Sequence, residues 1–297
     1  MLLFFDDERT YAAGLAAAAG LAAAEVQRHR FPDGELRLRL PTRLPRRVVL
    51  LRSLHQPNEK LVEVLLAARA ARELGAAHLT LVAPYLGYMR QDAAFTPGEV
   101  VSQRIIGRWL AELFDGVITI DPHLHRIRTL REAIPVDGAV ALSAAPLIGV
   151  ALRHEDLLML GPDVESGPWV RAAATAAGCS WAICRKQRHS DRDVDVVLPD
   201  VTIAGKNVLI VDDIASTGHT VAAVARLARA AGACRVDVAV THALLVEGAA
   251  ELLRSAGVGH FISTDTVPHA SNRISTAALV AAALEQREPQ TTDIADG

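Results

Sequence analysis

Residues 208–221 read Val-Leu-Ile-Val-Asp-Asp-Ile-Ala-Ser-Thr-Gly-His-Thr-Val, and this stretch decides the fold. Val208 to Val211 is a short apolar run, the pattern of a strand buried on both faces. Asp212 and Asp213 follow at once. Ser216-Thr217-Gly218-His219-Thr220 form a small, hydroxylated turn, and an Ala-rich helix is expected from Val221 to Ala231. A helix start carries unpaired N–H groups and partial positive charge, so a phosphate fits there. Two adjacent carboxylates would repel a polyphosphate. They suit vicinal hydroxyls, or a metal that neutralises them. The stretch therefore reads as a sugar-phosphate site. A lone glycine after a strand would be an ordinary junction with Asp as the cap, but here the whole local pattern is present.

The segment resembles the PRPP-binding loop of the type I phosphoribosyltransferase fold, a group that includes the PRPP synthetases. There two adjacent acidic residues hold the ribose 2- and 3-hydroxyls and the Thr-Gly-x-Thr turn wraps the 5-phosphate. The resemblance implies those roles for Asp212 and Asp213, and for Ser216, Thr217, Gly218, His219 and Thr220.

Bulk properties narrow the function classes. With 297 residues the chain can form one large or two ordinary domains. Apolar residues make up 51% and charged residues 22%, a globular balance with a substantial core. Net charge is −3, so no general attraction to nucleic acid or anionic membrane is expected, and any phosphate site must be local. Cys179, Cys184 and Cys234 form no CxxC pair and read as reduced core thiols of a cytoplasmic protein. The start, Met1-Leu-Leu-Phe-Phe, meets Asp6-Asp7-Glu8 too soon for a signal peptide. No apolar stretch reaches the roughly 18–20 residues that span a bilayer.

Taken outward from the decisive stretch, the pattern is strand–helix alternation. In the first half, strands are expected at Leu2–Phe5, Val48–Leu51, His78–Val82 and Gly116–Ile120. Helices are expected at Thr10–Ala24, Asn58–Leu74 and Val100–Phe114. Phe31-Pro-Asp33-Gly-Glu35 is a turn leading into a half-exposed strand. Pro135–Ala139 reads as a joint. The second half repeats the scheme, with strands at Leu157–Leu160, Cys179–Cys184, Val194–Val197, Val236–Thr241 and His260–Ser263. Its helices fall at Ala144–Arg153, Trp169–Ala177, Gly248–Ala256 and Ile274–Gln286. Arg185–Arg192 is a short, very basic segment. The expected architecture is α/β: two similar Rossmann-like domains, each a mainly parallel sheet flanked by helices, covering 1–138 and 139–297.

No Walker A pattern and no GxGxxG fingerprint occurs. Arg90-Gln91, Lys186 and Arg188 offer cations for phosphates instead. Across nearly the whole chain the resemblance sharpens to the ribose-phosphate pyrophosphokinase family. Phe31-Pro-Asp33-Gly-Glu35 is similar to its Phe-x-Asp-Gly-Glu segment, and Pro84-Tyr-Leu-Gly-Tyr-Met-Arg90-Gln91-Asp92 to its Pro-Tyr-x-x-Tyr-x-Arg-Gln-Asp segment. The resemblance implies that Phe31, Asp33, Glu35, Arg90, Gln91 and Asp92 bind ATP, the first three reaching a neighbouring subunit of a homo-oligomer. Asp121-Pro-His123 resembles a strand end whose histidine lies by Mg–ATP, and Pro162-Asp163 a magnesium-holding segment. Both His123 and Asp163 are thus candidate Mg2+ ligands. His125 forms a His-x-His pair with His123, without a further ligand nearby in sequence. Asp163 also suits a helix cap.

Lys186-Gln-Arg188 matches the Lys-x-Arg of the family's catalytic loop, which implies catalytic roles for Lys186, Arg188 and His123. The spacing lets both cations reach a polyphosphate if the segment is not a regular strand, and His189–Asp193 is expected to be a mobile lid that excludes water. The implied partners are ATP and ribose 5-phosphate, and the implied reaction gives PRPP and AMP. Two other readings stand beside it: a PRPP-consuming phosphoribosyltransferase, and a non-catalytic regulatory homologue. Several positions depart from the family pattern. Ala93-Ala94 stand where basic residues are usual, Val164-Glu165-Ser166 replaces a glycine-rich turn, and His219 replaces a small residue.

Overall fold

The apolar runs of the first half become strands because a parallel sheet covered on both faces needs continuous hydrophobic segments. A computed structural model describes residues 1–124, 126–188 and 194–286, with the backbone alone at 186–188 and 194–195. The chain divides into two units, residues 1–142 with 276–297, and residues 143–275.

Unit 1 runs β1 (Leu2–Phe4), α1 (Arg9–Ala19), β2 (Ala23–Glu25), β3 (Gln27–Arg30), β4 (Leu36–Arg39), β5 (Arg47–Leu51) and α2 (Pro57–Glu73). It continues with β6 (His78–Ala83), α3 (Ser102–Leu113), β7 (Gly116–Ile120), α4 (Leu130–Ala133) and β8 (Gly138–Leu142). Six strands form one parallel sheet in the order β2-β1-β5-β6-β7-β8. Strands β3 and β4 stand apart as an antiparallel hairpin. Leu3, Leu50, Leu81 and Val117 from the sheet bury against Val64 of α2 and Leu110 of α3.

Unit 2 runs α5 (Ala145–Ala151), β9 (Leu157–Gly161), α6 (Gly167–Ala177), β10 (Ser180–Ile183), β11 (Arg185–Arg188), β12 (Val194–Val197), β13 (Asn207–Ala215) and α7 (His219–Ala230). It ends with β14 (Arg235–Ala243), α8 (Ala249–Ser255), β15 (Phe261–Thr264) and β16 (Asn272–Ile274). Its parallel sheet has the order β10-β9-β13-β14-β15-β16, and β11–β12 is a separate antiparallel ribbon. Alternate residues of β13 point to opposite faces. Val208 and Ile210 pack with Val221 and Val224 of α7. Leu209 and Val211 pack with Ile148 of α5 and Val170 of α6. The last helix, α9 (Ala277–Glu285), groups with unit 1 and packs on α1.

The two sheets have one plan. Each starts with a strand, moves to an edge strand, inserts a two-stranded ribbon, and then returns to the other side of the first strand. The strand sequence reverses direction between β1 and β5 in unit 1, and between β9 and β13 in unit 2. The expectation of two similar α/β domains matches this architecture.

Several elements differ from the sequence reading. The Ala-rich run to Ala24 is not all helix: α1 stops at Ala19 and residues 23–25 become an edge strand beside β1. Sheet pairing there overrides helix propensity. The joint at Pro135–Ala139 overlaps β8, an edge strand with small, half-buried residues and hence a weak pattern. Ile274–Gln286 splits into the end of β16 and α9. Helix α9 also joins the first unit rather than the second. Among the described residues, no helix is long and apolar enough to cross a membrane. Cys184 is buried, Cys179 half-buried and Cys234 exposed, so the core-thiol reading fails for Cys234.

Candidate active site

In unit 2 the carboxylates follow directly from strand placement. β9 and β13 are neighbours, with Leu160 opposite Ile210, so their C-terminal ends bring residues 161–163 beside 211–213. Asp212 is half-buried and its Oδ1 accepts the Asp213 N–H at 2.9 Å. Asp213 is buried. Burial pushes the Asp212 carboxyl well above its usual range, and the like charges of Asp213 and Asp163 push in the same direction. Asp163 Oδ1 accepts from the N–H groups of Glu165 and Ser166 at 3.1 and 3.2 Å, capping a short turn at 164–166. The cap and the approach to Asp212 coexist. Gly161 enforces that approach: a Cβ there would run into Ser166 Oγ and sit 2.6 Å from Ile183 Cδ1.

The turn after β13 also follows the sequence reading. Gly218 adopts φ 75° as the residue preceding α7, a conformation open to glycine and strained for a side chain. With glycine at the cap, no side chain from that residue covers the first N–H groups of α7. Ser216 and Thr220 are half-buried and Thr217 and His219 exposed, so the turn is open to solvent along one side. Among the described residues, no three His, Cys, Asp or Glu side chains form a group that could hold a metal ion.

In unit 1 the loop after β6 carries Arg90, exposed, Gln91, half-buried, and Asp92, buried. Gln103 of α3 holds this loop: its Nε2 donates to the Met89 carbonyl at 3.0 Å, and its N–H to the Gln91 carbonyl at 3.2 Å. Asp92 Oδ1 accepts from Arg126 at 2.5 Å, and the same guanidinium lies 5.3 Å from the centre of the exposed Phe95 ring. Neither Arg126 nor Phe95 was singled out from the sequence. Both sit in irregular segments, and no spacing ties position 126 to position 92. His123 is half-buried and follows Asp121, the residue after β7, whose φ of 38° is unusual outside glycine. His125 lies outside the described residues.

Phe31, Asp33 and Glu35 occupy the β3–β4 turn, on their own ribbon. The turn closes by Gly34 N–H to the Phe31 carbonyl at 2.9 Å and Glu35 N–H to Asp33 Oδ1 at 3.2 Å. This leaves the Phe31 ring 38% exposed at the tip, available to a partner.

Lys186 and Arg188 lie on β11, opposite Val196 and Val194 of β12. The segment is a regular strand where the sequence reading asked for an irregular loop. The reading's geometric condition was mistaken: residues two apart in a strand share a face, so the pairing keeps both positions on one side. The expected lid, His189–Asp193, lies outside the described residues. The structure thus groups Asp163, Asp212, Asp213 and the 216–220 turn at one sheet edge of unit 2. In unit 1 it places Arg90–Asp92 and His123 after the adjacent strands β6 and β7.

Comparison with known proteins agrees with this arrangement. Residues 1–113 match the model for the N-terminal domain of ribose phosphate pyrophosphokinase, and residues 145–258 the phosphoribosyl transferase domain. A ribose-phosphate pyrophosphokinase of Methanopyrus kandleri is 37% identical over 268 residues, spanning 88% of this chain and 90% of the relative. One from Thermococcus kodakarensis is 38% identical over 259 residues, spanning 86% and 91%. The crystal structure of phosphoribosylpyrophosphate synthetase from Mycobacterium smegmatis superposes with a TM-score of 0.80 at 25% identity, covering 96% of this chain and 97% of that one. The chain belongs to the ribose-phosphate pyrophosphokinase family.

Proposed function

We propose that the protein transfers the β,γ-pyrophosphoryl group of ATP to the 1-hydroxyl of ribose 5-phosphate, giving PRPP and AMP. The observation that carries this reading is the pairing of Asp212 and Asp213 with the open start of α7, in a chain similar to pyrophosphokinases over most of its length. Asp212 and Asp213 accept the 2- and 3-hydroxyls, and residues Ser216 to Thr220 hold the 5-phosphate on the α7 N–H groups. Phe31, Asp33 and Glu35 of one subunit, with Arg90, Gln91 and Asp92 of another, bind the nucleotide in a homo-oligomer. The bond between the bridging oxygen and Pβ breaks as the 1-oxygen bonds to Pβ, and the hydroxyl proton is lost to solvent.

Such a transfer is mostly positioning and charge neutralisation. Lys186 and Arg188, sharing a face of β11, supply positive charge to the migrating group. Asp163, Asp212 and Asp213 are hard oxygen donors of the kind a dication prefers, and a bound dication would offset the like charges that hold Asp212 away from its charged form. His123 and Asp163 are the residues we assign to Mg2+, which neutralises polyphosphate charge when bound. The unpaired cysteines suit a cytoplasmic setting.

A PRPP-consuming transferase is disfavoured by the 1–113 match and by the second six-stranded unit. The test is direct. Pure protein with Mg–ATP and ribose 5-phosphate should yield equal amounts of AMP and PRPP. Absence of both across divalent metals and phosphate levels would leave the regulatory-homologue reading.

A further inference from the structure

In open α/β sheets, ligands bind beyond the carboxyl ends of the strands where the strand order reverses. Unit 2 obeys this at β9 and β13, with Asp163, Asp212 and Asp213. Unit 1 has the same reversal between β1 and β5. There lies a cavity of about 690 Å3 lined by Asp7, Arg28, Arg30, Arg52, Lys60 and Glu63, among others. Like charges gather in unit 2, whereas opposite charges meet in unit 1.

The pairs are specific. Arg52, which follows β5 and is 1% exposed, bonds Asp7 at 2.7 Å and pairs with Glu63 of α2. Its guanidinium lies 4.6 Å from the centre of the Phe5 ring. Arg28 bonds Glu63 at 2.5 Å and Asp6 at 2.7 Å. Arg30 makes a two-bond fork to Glu59, at 3.1 and 2.6 Å. Each of these guanidinium groups already holds a carboxylate of the chain itself, so the cations lining the crevice are paired within unit 1.

What these pairs join is more telling than their number. Asp6 and Asp7 belong to the turn after β1, Glu59 and Glu63 to α2, and Arg28 and Arg30 to β3. Arg28 and Arg30 share one face of β3, and Phe31 follows Arg30 immediately. Apart from these pairs, the hairpin packs through Leu38 and through the flanking Val26 and Leu40 at its base, whereas its turn residues are exposed.

We propose that this network clamps the β3–β4 hairpin, making Arg28 and Arg30 positioning residues for nucleotide binding through Phe31, Asp33 and Glu35. The inference rests on the assignment of that turn to ATP. Burial ranks the pairs: the Glu63 side chain is 1% exposed and that of Glu59 is 68% exposed, so Arg28 matters more than Arg30. Loss of the clamp lowers the fraction of hairpin in the competent pose, and the apparent dissociation constant for ATP rises as the inverse of that fraction.

The test compares Arg28→Met, which spares the Arg52–Glu63 pair, with Arg28→Lys and Arg30→Met. Arg28→Met should raise KM for ATP by about five- to tenfold, with kcat and KM for ribose 5-phosphate within about twofold. Arg30→Met should raise it by about two- to threefold, and Arg28→Lys should recover part of the loss. Amide exchange over residues 27–39 should quicken in Arg28→Met while the central strands stay protected. Unchanged exchange at 27–39, or parallel loss in both KM values and kcat, would overturn the clamp. If Arg28→Met does not fold, Arg30→Met and Glu59→Gln, on the exposed pair, decide by the same readouts. If the wild type makes neither PRPP nor AMP, the functional assignment fails, and the exchange measurement still decides the clamp.

Discussion

Replacing Asp212 by Asn should make the free protein more stable and the enzyme far less active. Asp212 sits half-buried with Asp213 and Asp163 acting on it as like charges, and burial adds to the cost of ionising it. Asn keeps the side-chain oxygen that accepts the Asp213 N–H at 2.9 Å, so the turn is preserved while the charge is removed. Like charges a few ångströms apart near a protein surface repel by about 1–3 kcal/mol. Discounted for partial exposure, the gain is about 1 kcal/mol, or about 2–4 °C in Tm for a chain of this size.

The pH dependence fixes the sign. A carboxyl whose folded pKa lies above the ordinary 3.8 keeps its proton longer in the folded state than in the unfolded one. In the wild type, stability is therefore lost as pH rises from the unfolded value through the raised folded one, and the Asp212→Asn variant escapes the loss. The Tm gap between variant and wild type should be small at acid pH and larger at pH 8 than at pH 5. In the same variant, kcat/KM for ribose 5-phosphate should fall by roughly 10–100-fold, the cost of a lost charged hydrogen bond to a hydroxyl. Thermal melts and initial rates check both. A variant that melts below wild type at pH 8, or one that keeps full kcat/KM, would refute the reasoning.

Three further outcomes are expected. Burial and the charges of Lys60 and Arg52 hold His55 down, from 6.5 to about 4. Folded protein therefore loses stability as pH falls from 6.5 toward 4. After discounting for partial exposure the loss is about 1 kcal/mol at pH 5, and urea unfolding of His55→Gln should show it removed. Gly161→Ala forces a Cβ against Ser166 Oγ and Ile183, which should destabilise by about 1–3 kcal/mol and raise KM for ribose 5-phosphate by displacing Asp163 and its turn. Wild-type stability would argue that the turn relaxes freely. Lys186→Ala should cut turnover by roughly 10²–10³-fold with little change in calorimetric ATP affinity, and equal loss of both would contradict its action on developing charge.

The fold was readable where one element carries its own signal. Val208–Val211 is uninterrupted and apolar because both faces of β13 are covered, by α7 on one side and by α5 and α6 on the other. The turn at 216–220 announced itself because its residues are contiguous and its glycine takes a left-handed conformation. Strands β2 and β8 were not readable: each is short, at a sheet edge, and built of residues that suit a helix or a loop equally. The β11 ribbon was hidden by its charge, since a run of Arg and Lys reads as solvated loop whatever its backbone does.

The same distinction explains why one crevice was found and the other missed. In unit 2 two of the carboxylates are adjacent in sequence, so a single motif exposed the site. In unit 1 the groups come from residues 6–7, 28–30, 52 and 59–63, and only the sheet order between β1 and β5 brings them together. No local pattern encodes that meeting. Yet the two crevices are related by the same topology and differ in the sign of their neighbours. Carboxylates crowded against each other repel, and they favour an outside partner: a hydroxyl, a cation, or both. Guanidinium groups interleaved with carboxylates pair with one another, and here those pairs tie the hairpin to the sheet. A repeated architecture therefore carries two charge arrangements without a change of backbone plan, carboxylates crowded at one edge and opposite charges paired against a hairpin at the other.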